Sequence, residues 1–255
     1  MRPATYEAEA ALERGHWWFR GRRRLLARLL ARMPLPAAAR VLDVGCGTGA
    51  NGPVLAGAER FTVGLDASAI PLGLGRSAER THGARVRADA GLLPFADASF
   101  DLVTALDVLE HLDDDAAAAR ELHRVLRPGG VLVVFVPALR LLWGLQDEVS
   151  HHRRRYGRGE LRAVVAGAGL DVERLTFFNT LLFPPILVAR LAMRVRPPRA
   201  LRSENEIGGR VANRIAELIF SAEAPFLERA DLPIGVSLAC VARRRTITAG
   251  AHGVV

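Results

Sequence analysis

Short apolar runs recur along the first half of the chain, at Val41–Val44, Phe61–Leu65, Arg85–Ala88, Leu102–Leu106 and Val131–Val136, each bounded by Gly, Asp or Pro. Runs this short predict buried parallel strands. Stretches with helical spacing lie between them, near 50–57, 68–81 and 115–126. Strand and helix in alternation imply a parallel sheet covered by helices on both faces, an α/β fold. Ahead of the first strand, Tyr6, Ala10, Leu12, Trp17–Trp18–Phe19, Leu25, Leu26, Leu29 and Leu30 predict a helical segment over 5–32, weakened by Gly15 and Gly21 and ended by Met33-Pro-Leu-Pro36.

The rhythm changes after Pro137. Residues 138–157 read as a long loop dense in His and Arg. A helix is expected over 158–168, with Gly157 at its N-cap and Glu160 three residues on, half of a capping box. A sixth strand at 171–178 and a seventh at 235–243 enclose an insertion, 180–229. Helices are expected there near 181–195 and 205–222, on either side of Pro197-Pro198. From Thr246 no pattern remains, and 246–255 is expected to be a flexible tail.

Composition narrows the function classes. With 255 residues, half of them hydrophobic, one elaborated domain is expected rather than two small ones. The only cysteines, Cys46 and Cys240, lie far apart, which argues against a disulfide framework or a zinc site. No apolar leader opens the chain, so a cytoplasmic protein is expected. All 35 basic residues are arginine, and they are unevenly placed. Residues 1–40 hold 9 Arg against 3 acids, 41–150 hold 9 against 15, and 151–255 hold 17 against 9. Basic flanks around an acidic middle can attract an anionic acceptor, a membrane surface or nucleic acid. Phe177–Met193 is the most apolar stretch, but it is too broken to span a bilayer and reads as core, substrate cap or peripheral membrane contact.

The chemistry concentrates in Val41-Leu-Asp-Val-Gly-Cys-Gly-Thr-Gly49, a strand running into a glycine-rich turn. Glycines there let the backbone approach a ligand where a Cβ would collide. Gly45-x-Gly47-x-x-Ala50 also fits the dinucleotide fingerprint, so context must decide. Asp66 ends the second strand 21 residues after Gly45, placed to accept both ribose hydroxyls of an adenosine ligand. Asp89 follows the third strand, where it can take an exocyclic amine. Asp107 follows the fourth, and Leu126-Arg-Pro-Gly-Gly130 reads as a turn into the fifth.

In this combination, residues 41–138 resemble the class I S-adenosylmethionine-dependent methyltransferases of the small-molecule, "methyltransferase type 11" kind. The resemblance implies a Rossmann-like, seven-stranded, mostly parallel sheet with S-adenosyl-L-methionine as cofactor. It assigns Asp43, Gly45, Gly47 and Gly49 to the methionine portion, Asp66 to the ribose, Asp89 and Ala90 to the adenine, and Leu106 and Asp107 to the sulfonium end, with Cys46 and Ala67 as further cofactor-binding residues. Residues 1–40 then become an N-terminal helical lid, 41–179 with 230–245 the cofactor domain, and 180–229 a cap on the acceptor side. His16-Trp-Trp-Phe-Arg-Gly-Arg-Arg23 and His152-Arg-Arg-Arg-Tyr156 resemble flanking segments of related bacterial enzymes. His16, Trp17, Arg20, Arg153 and Tyr156 are therefore substrate-binding candidates, while Arg22, Arg23, Arg154 and Arg155 are further arginines that can pair with an anionic group.

Methyl transfer needs alignment, exclusion of water and, for a hydroxyl acceptor, removal of one proton. His111 and His152 are the general-base candidates. No metal is expected, although Asp107, Glu110 and His111 together could hold a divalent ion. The expected partner is a small-molecule acceptor, apolar or lipid-linked, with O-methylation favoured and no nucleic acid expected. The competing readings are an RNA methyltransferase or RNA-binding protein using the basic flanks, and an NAD-dependent oxidoreductase.

Overall fold

The computed structural model describes residues 10–13, 15–57, 59–74, 83–195, 209–227 and 229–246. Its frame is one seven-stranded sheet: β1 (Arg40–Val44), β2 (Phe61–Asp66), β3 (Ala84–Arg87), β4 (Phe100–Leu106), β5 (Leu126–Pro137), β6 (Leu170–Phe178) and β7 (Ser237–Arg244). The order across the sheet is β3-β2-β1-β4-β5-β7-β6, with β1 to β5 parallel and β7 antiparallel to both its neighbours. Chain order reverses between β1 and β4, which opens a crevice at the carboxyl ends of those strands.

Helices α1 (Trp17–Leu30), α2 (Gly52–Leu55), α3 (Ala69–Leu74), α4 (Asp115–Val125), α5 (Leu145–Val149), α6 (Arg158–Gly167), α7 (Phe183–Val195) and α8 (Arg210–Leu227) complete the described elements, with 3₁₀ turns at Leu109–His111 and Arg140–Leu142. Two cores lie on opposite faces of the sheet. On one, Leu122 and Val125 of α4 and Leu161 and Val165 of α6 pack with Leu132 and Val134 of β5. On the other, Leu25, Leu26, Leu29 and Leu30 of α1 join Phe220 and Leu227 of α8 over Val131, Val133 and Phe135. Each fully buried aliphatic side chain contributes roughly 1.5–3 kcal/mol. The unbroken apolar run of β5 follows from its central place between two covered faces.

Several local expectations are corrected. Gly21 does not weaken α1: a Cβ there would run into the Phe220 ring, so the glycine lets α8 pack close. Leu126–Gly130 falls within the bounds of β5 but turns as expected: Leu126 pairs with Phe100, regular pairing resumes at Val131, and Gly129 between them takes φ 79°. The expected loop 138–157 contains the 3₁₀ turn at Arg140–Leu142 and all of α5. The helix expected over 50–57 shortens to α2. At α6 the expected cap forms, with Gly157 N donating to Glu160 Oε2 at 2.7 Å. Pro197-Pro198, the first residues of the helix expected over 205–222, and most of the expected tail lie outside the described residues.

Candidate functional site

β1 delivers the chain into a turn in which Gly45, Gly47 and Gly49 take positive φ of 68°, 55° and 88°. At Gly45 a side chain is excluded twice over, by this left-handed backbone and by Val108, whose methyl a Cβ would strike. Cys46 N donates to Leu65 O at 2.9 Å and ties the turn to β2. Gly47 N donates to Asp66 Oδ2 at 3.0 Å, and Ser68 N to Oδ1 at 2.8 Å. Burial pushes the Asp66 carboxyl above the usual range, against the pull of those two donors.

The turn opens onto a cavity of about 820 Å³. Gly45, Cys46, Gly47, Asp66, Ala67, Asp89, Ala90, Leu106 and Asp107 all line it. Two of the cofactor candidates do not. Asp43 is buried beneath the turn, accepting the Thr104 hydroxyl at 2.7 Å, and Gly49 closes the turn through its N–H to Cys46 O at 2.8 Å. Their roles are to shape the cradle.

The N-terminal segment covers this end. Asp107, at φ 57°, forms an ion pair with buried Arg22 of α1. The Thr48 hydroxyl bonds Glu13, whose carbonyl accepts from Arg23 Nη2 at 2.7 Å. Glu13 was not legible in the sequence, because only the folded turn brings Thr48 to it. His16 and Trp17 line the cavity, and burial lowers the His16 imidazole to about 4. Arg20 does not line it. Its guanidinium pairs with Glu217 of α8 at 3.1 Å, since α1 turns that face toward α8.

At the other end stand His111 and His152, ring centroids 4.8 Å apart. His152 Nδ1 lies 2.8 Å from Asp147 Oδ1, an oxygen that also accepts from Arg155 Nε at 2.8 Å. Arg190 of α7 reaches the second Asp147 oxygen at 3.4 Å. Burial alone would raise the Asp147 carboxyl, but His152, Arg155 and Arg190 together hold it down at about 2. The ionised carboxylate can only accept, so it fixes the proton on Nδ1 and leaves Nε2 as the basic nitrogen. Asp147 was missed in the sequence because α5 carries too few residues to show a helical period.

Glu110 is fully buried, with neither oxygen hydrogen-bonded, and burial lifts its carboxyl to about 8. It stands 4.0 Å from His152 Nε2. Glu110, His111 and His152 present ligand atoms within 4.8 Å of one another and could hold a divalent ion. This differs from the expected trio, because Arg22 occupies Asp107. The next helix is capped by Asp114, which accepts from Ala117 N at 2.7 Å.

Arg153 lines the cavity rim, bonded to His111 O and paired with Asp113 at 3.0 Å. Arg154 instead pairs with Asp115. Tyr156 is a correction. It is buried in the core, away from the cavity lining, with its hydroxyl donating to Asp115 Oδ2 at 2.6 Å. Between the two ends, Asn179 lines the cavity at φ 59°, buried, with both amide atoms unpartnered. Leu182, Ile186, Ala189 and Met193 of the α7 segment and Ala212 and Ala216 of α8 give the remaining wall an apolar face.

Comparison with known proteins agrees with this architecture. A family model described as a methyltransferase domain matches residues 42–134. Malonyl-[acyl-carrier protein] O-methyltransferase of Enterobacter lignolyticus is 36% identical over 151 residues, covering 57% of this chain and 60% of that protein. The 27-O-demethylrifamycin SV methyltransferase of Amycolatopsis mediterranei is 40% identical over 170 residues, covering 59% and 60%. The chain thus spans about 60% of the length of these curated relatives. Among solved structures, the [4+2]-cyclase SpnF superposes with a TM-score of 0.59 at 22% identity, covering 88% of this chain and 81% of that one. The YcgJ protein of Bacillus subtilis gives 0.58 at 20% identity, covering 87% and 98%. These two likenesses show the fold, and residues 42–134 match the methyltransferase-domain family model.

Proposed function

We propose that the chain transfers a methyl group from S-adenosylmethionine to a hydroxyl of a small acceptor with an apolar body. The observation that carries this reading is one cavity with two equipped ends: the glycine turn bonded to Asp66, and the His152–Asp147 pair.

The residues at the first end fit the donor. Space beyond Gly47 is open, since a Cβ there would meet only Glu13 Oε1 at 3.8 Å. Asp66 would hold the ribose, Asp89 and Ala90 the adenine, Gly45 and Gly47 the methionine portion, and Leu106 with Asp107 the sulfonium end. When bound, the donor supplies an electrophilic methyl group on a positively charged sulfur. The chain's own work is alignment and proton handling. His152 Nε2 takes the acceptor's hydroxyl proton, and ionised Asp147 stabilises the imidazolium that results. Burial holds the His111 imidazole near 4, so it stays neutral beside that charge. The apolar wall from α7 and α8 excludes water and receives the acceptor's body.

The names of the two relatives, an O-methyltransferase and a 27-O-demethylrifamycin methyltransferase, support an oxygen acceptor. An NAD oxidoreductase is disfavoured, because β6 and β7 form an antiparallel pair where a second nucleotide-binding half would require parallel strands. Calorimetry with S-adenosylhomocysteine and with NAD tests the reading. Saturable binding of the first alone is expected, and binding of NAD alone would overturn it.

A further inference from the structure

Helix α7 has no polar face. Its thirteen residues include two charges, Arg190 and Arg194, and both are turned back onto the protein. Arg190 is buried against Leu142 O and Asp147, while Arg194 Nη2 bonds Leu141 O at 2.7 Å and Trp143 O at 2.9 Å. Ile186, Ala189 and Met193 line the cavity. The opposite side, Pro184, Val188, Leu191 and Val195 at helical spacing, is exposed, with Val188 at 66% and Val195 at 81%. An amphipathic surface helix would carry polar groups there.

Helix α8 repeats the arrangement. Ala212, Asn213 and Ala216 line the cavity, while Val211, Ile215, Leu218 and Phe226 are exposed. The exposed charges on the two helices are Arg194, Arg210 and Arg214. Their only acids, Glu217 and Glu223, are buried: Glu217 pairs with Arg20 and Arg24, and Glu223 accepts the backbone N–H groups of Asn179, Thr180 and Leu181.

We propose that the outer faces of α7 and α8 dock on an anionic lipid bilayer, with the helices lying in the interface. Among the described residues of these two helices, exposed apolar side chains are set among arginines with no exposed acid, which complements acyl chains beneath phosphate headgroups. A second copy of the chain is a poorer occupant, because a self-complementary contact would bring arginine against arginine. No described helix is long and apolar enough to cross a membrane, so contact is with one leaflet. The surface stands independently of the reaction assigned to the cavity, although the same two helices wall the apolar end and would place it beside the lipid.

Flotation of the full chain tests this with phosphatidylcholine vesicles, with and without phosphatidylglycerol. Binding to the anionic vesicles alone is expected, weakened by about 0.5 M NaCl. The double variant Val188→Asp/Leu191→Asp is expected to abolish it, and Arg210→Glu/Arg214→Glu to weaken it by about thirtyfold or more. Both variants should keep wild-type S-adenosylhomocysteine affinity and circular dichroism, which shows that they fold. Failure of the wild type to float, or equal flotation of the folded double variant, overturns the proposal. Sedimentation showing a dimer that Val188→Asp/Leu191→Asp dissolves, with no flotation, assigns the face to a second copy instead.

Discussion

His152 Nδ1 sits 2.8 Å from Asp147 Oδ1, and the carboxylate it meets is held by two buried arginines from different segments, Arg155 and Arg190. The imidazole is thereby fixed in one tautomer and one orientation at the end of the cavity proposed for the acceptor. Replacing His152 by Gln is expected to lower kcat by about 10²–10⁴-fold, with S-adenosylhomocysteine affinity unchanged. Steady-state kinetics beside calorimetry separates these, and an unaltered kcat would remove His152 as the base. Asp147→Asn should also destabilise the fold by roughly 3–5 kcal/mol, because it removes a buried carboxylate that two buried guanidinium groups share. Chemical denaturation reads that second effect.

The cofactor end yields its own prediction. Asp66 receives two backbone N–H groups and lines the cavity, so Asp66→Ala removes a charged acceptor from the turn and from the ribose site proposed there. Loss of about 1.5–3 kcal/mol per charged hydrogen bond translates to roughly tenfold to hundredfold weaker S-adenosylhomocysteine binding. Gly45→Ala is expected to be at least as damaging, since it adds backbone strain at φ 68° to a clash with Val108. Titration calorimetry on both variants, with His152→Gln as the control that still binds, gives the comparison.

What made this end legible in the sequence is that its chemistry is local. Gly45, Gly47 and Asp66 stand at the ends of neighbouring parallel strands, so strand periodicity and turn residues were enough to place them. The acceptor end depends on contacts that periodicity does not encode. Asp147 lies on the five-residue helix α5 and meets Arg190 from 43 positions away. Glu13 meets Thr48 across 35 positions. Tyr156 and Arg20 were misplaced for the same reason: each sits in a promising motif, but Asp115 and Glu217 capture their polar groups. In the sheet, Leu126–Gly130 was legible as a turn because Pro and Gly mark breaks: Leu126 pairs with Phe100 and regular pairing resumes only at Val131, with Gly129 at φ 79° between them.

Glu110 makes stability depend on pH in a defined direction. Burial raises its carboxyl from 4.5 to about 8, so the folded chain holds a proton that the unfolded chain gives up between those values. Its contribution is complete below the unfolded value and is lost as pH rises through the folded one. His111 and His16, both lowered to about 4 from 6.5 by burial, act oppositely and cost stability as pH falls below 6.5. Glu110→Gln keeps the shape and removes the titration. The variant is expected to melt above wild type at about pH 8.5 and to converge with it near pH 4.5. Thermal melts of both proteins across this range check the trend, and a gap that widens toward acid would contradict it. Titrating divalent ions during the same melts asks whether Glu110, His111 and His152 bind one. Stabilisation of the wild type and not of Glu110→Gln is the expected signature of an ion at that trio.

Asn179 joins a stability cost to a place in the cavity wall. Its amide is buried with neither atom partnered, and its backbone holds the left-handed conformation that favours glycine. Leaving such a group unsatisfied costs about 1–3 kcal/mol, and the strained φ adds to it. Asn179→Gly relieves both, so it is expected to raise the melting temperature. Glu223 continues to cap the backbone N–H groups of residues 179–181, so the local chain path has no reason to change. If the amide is kept to meet a polar group on the acceptor, the same variant lowers kcat/KM for that acceptor while leaving S-adenosylhomocysteine affinity intact. Comparing an apolar acceptor that carries one polar group besides its reacting hydroxyl with the analogue lacking that extra group tests the point, because only the first should discriminate between wild type and Asn179→Gly. A variant that is both more stable and fully active on every acceptor would show that the amide serves no ligand.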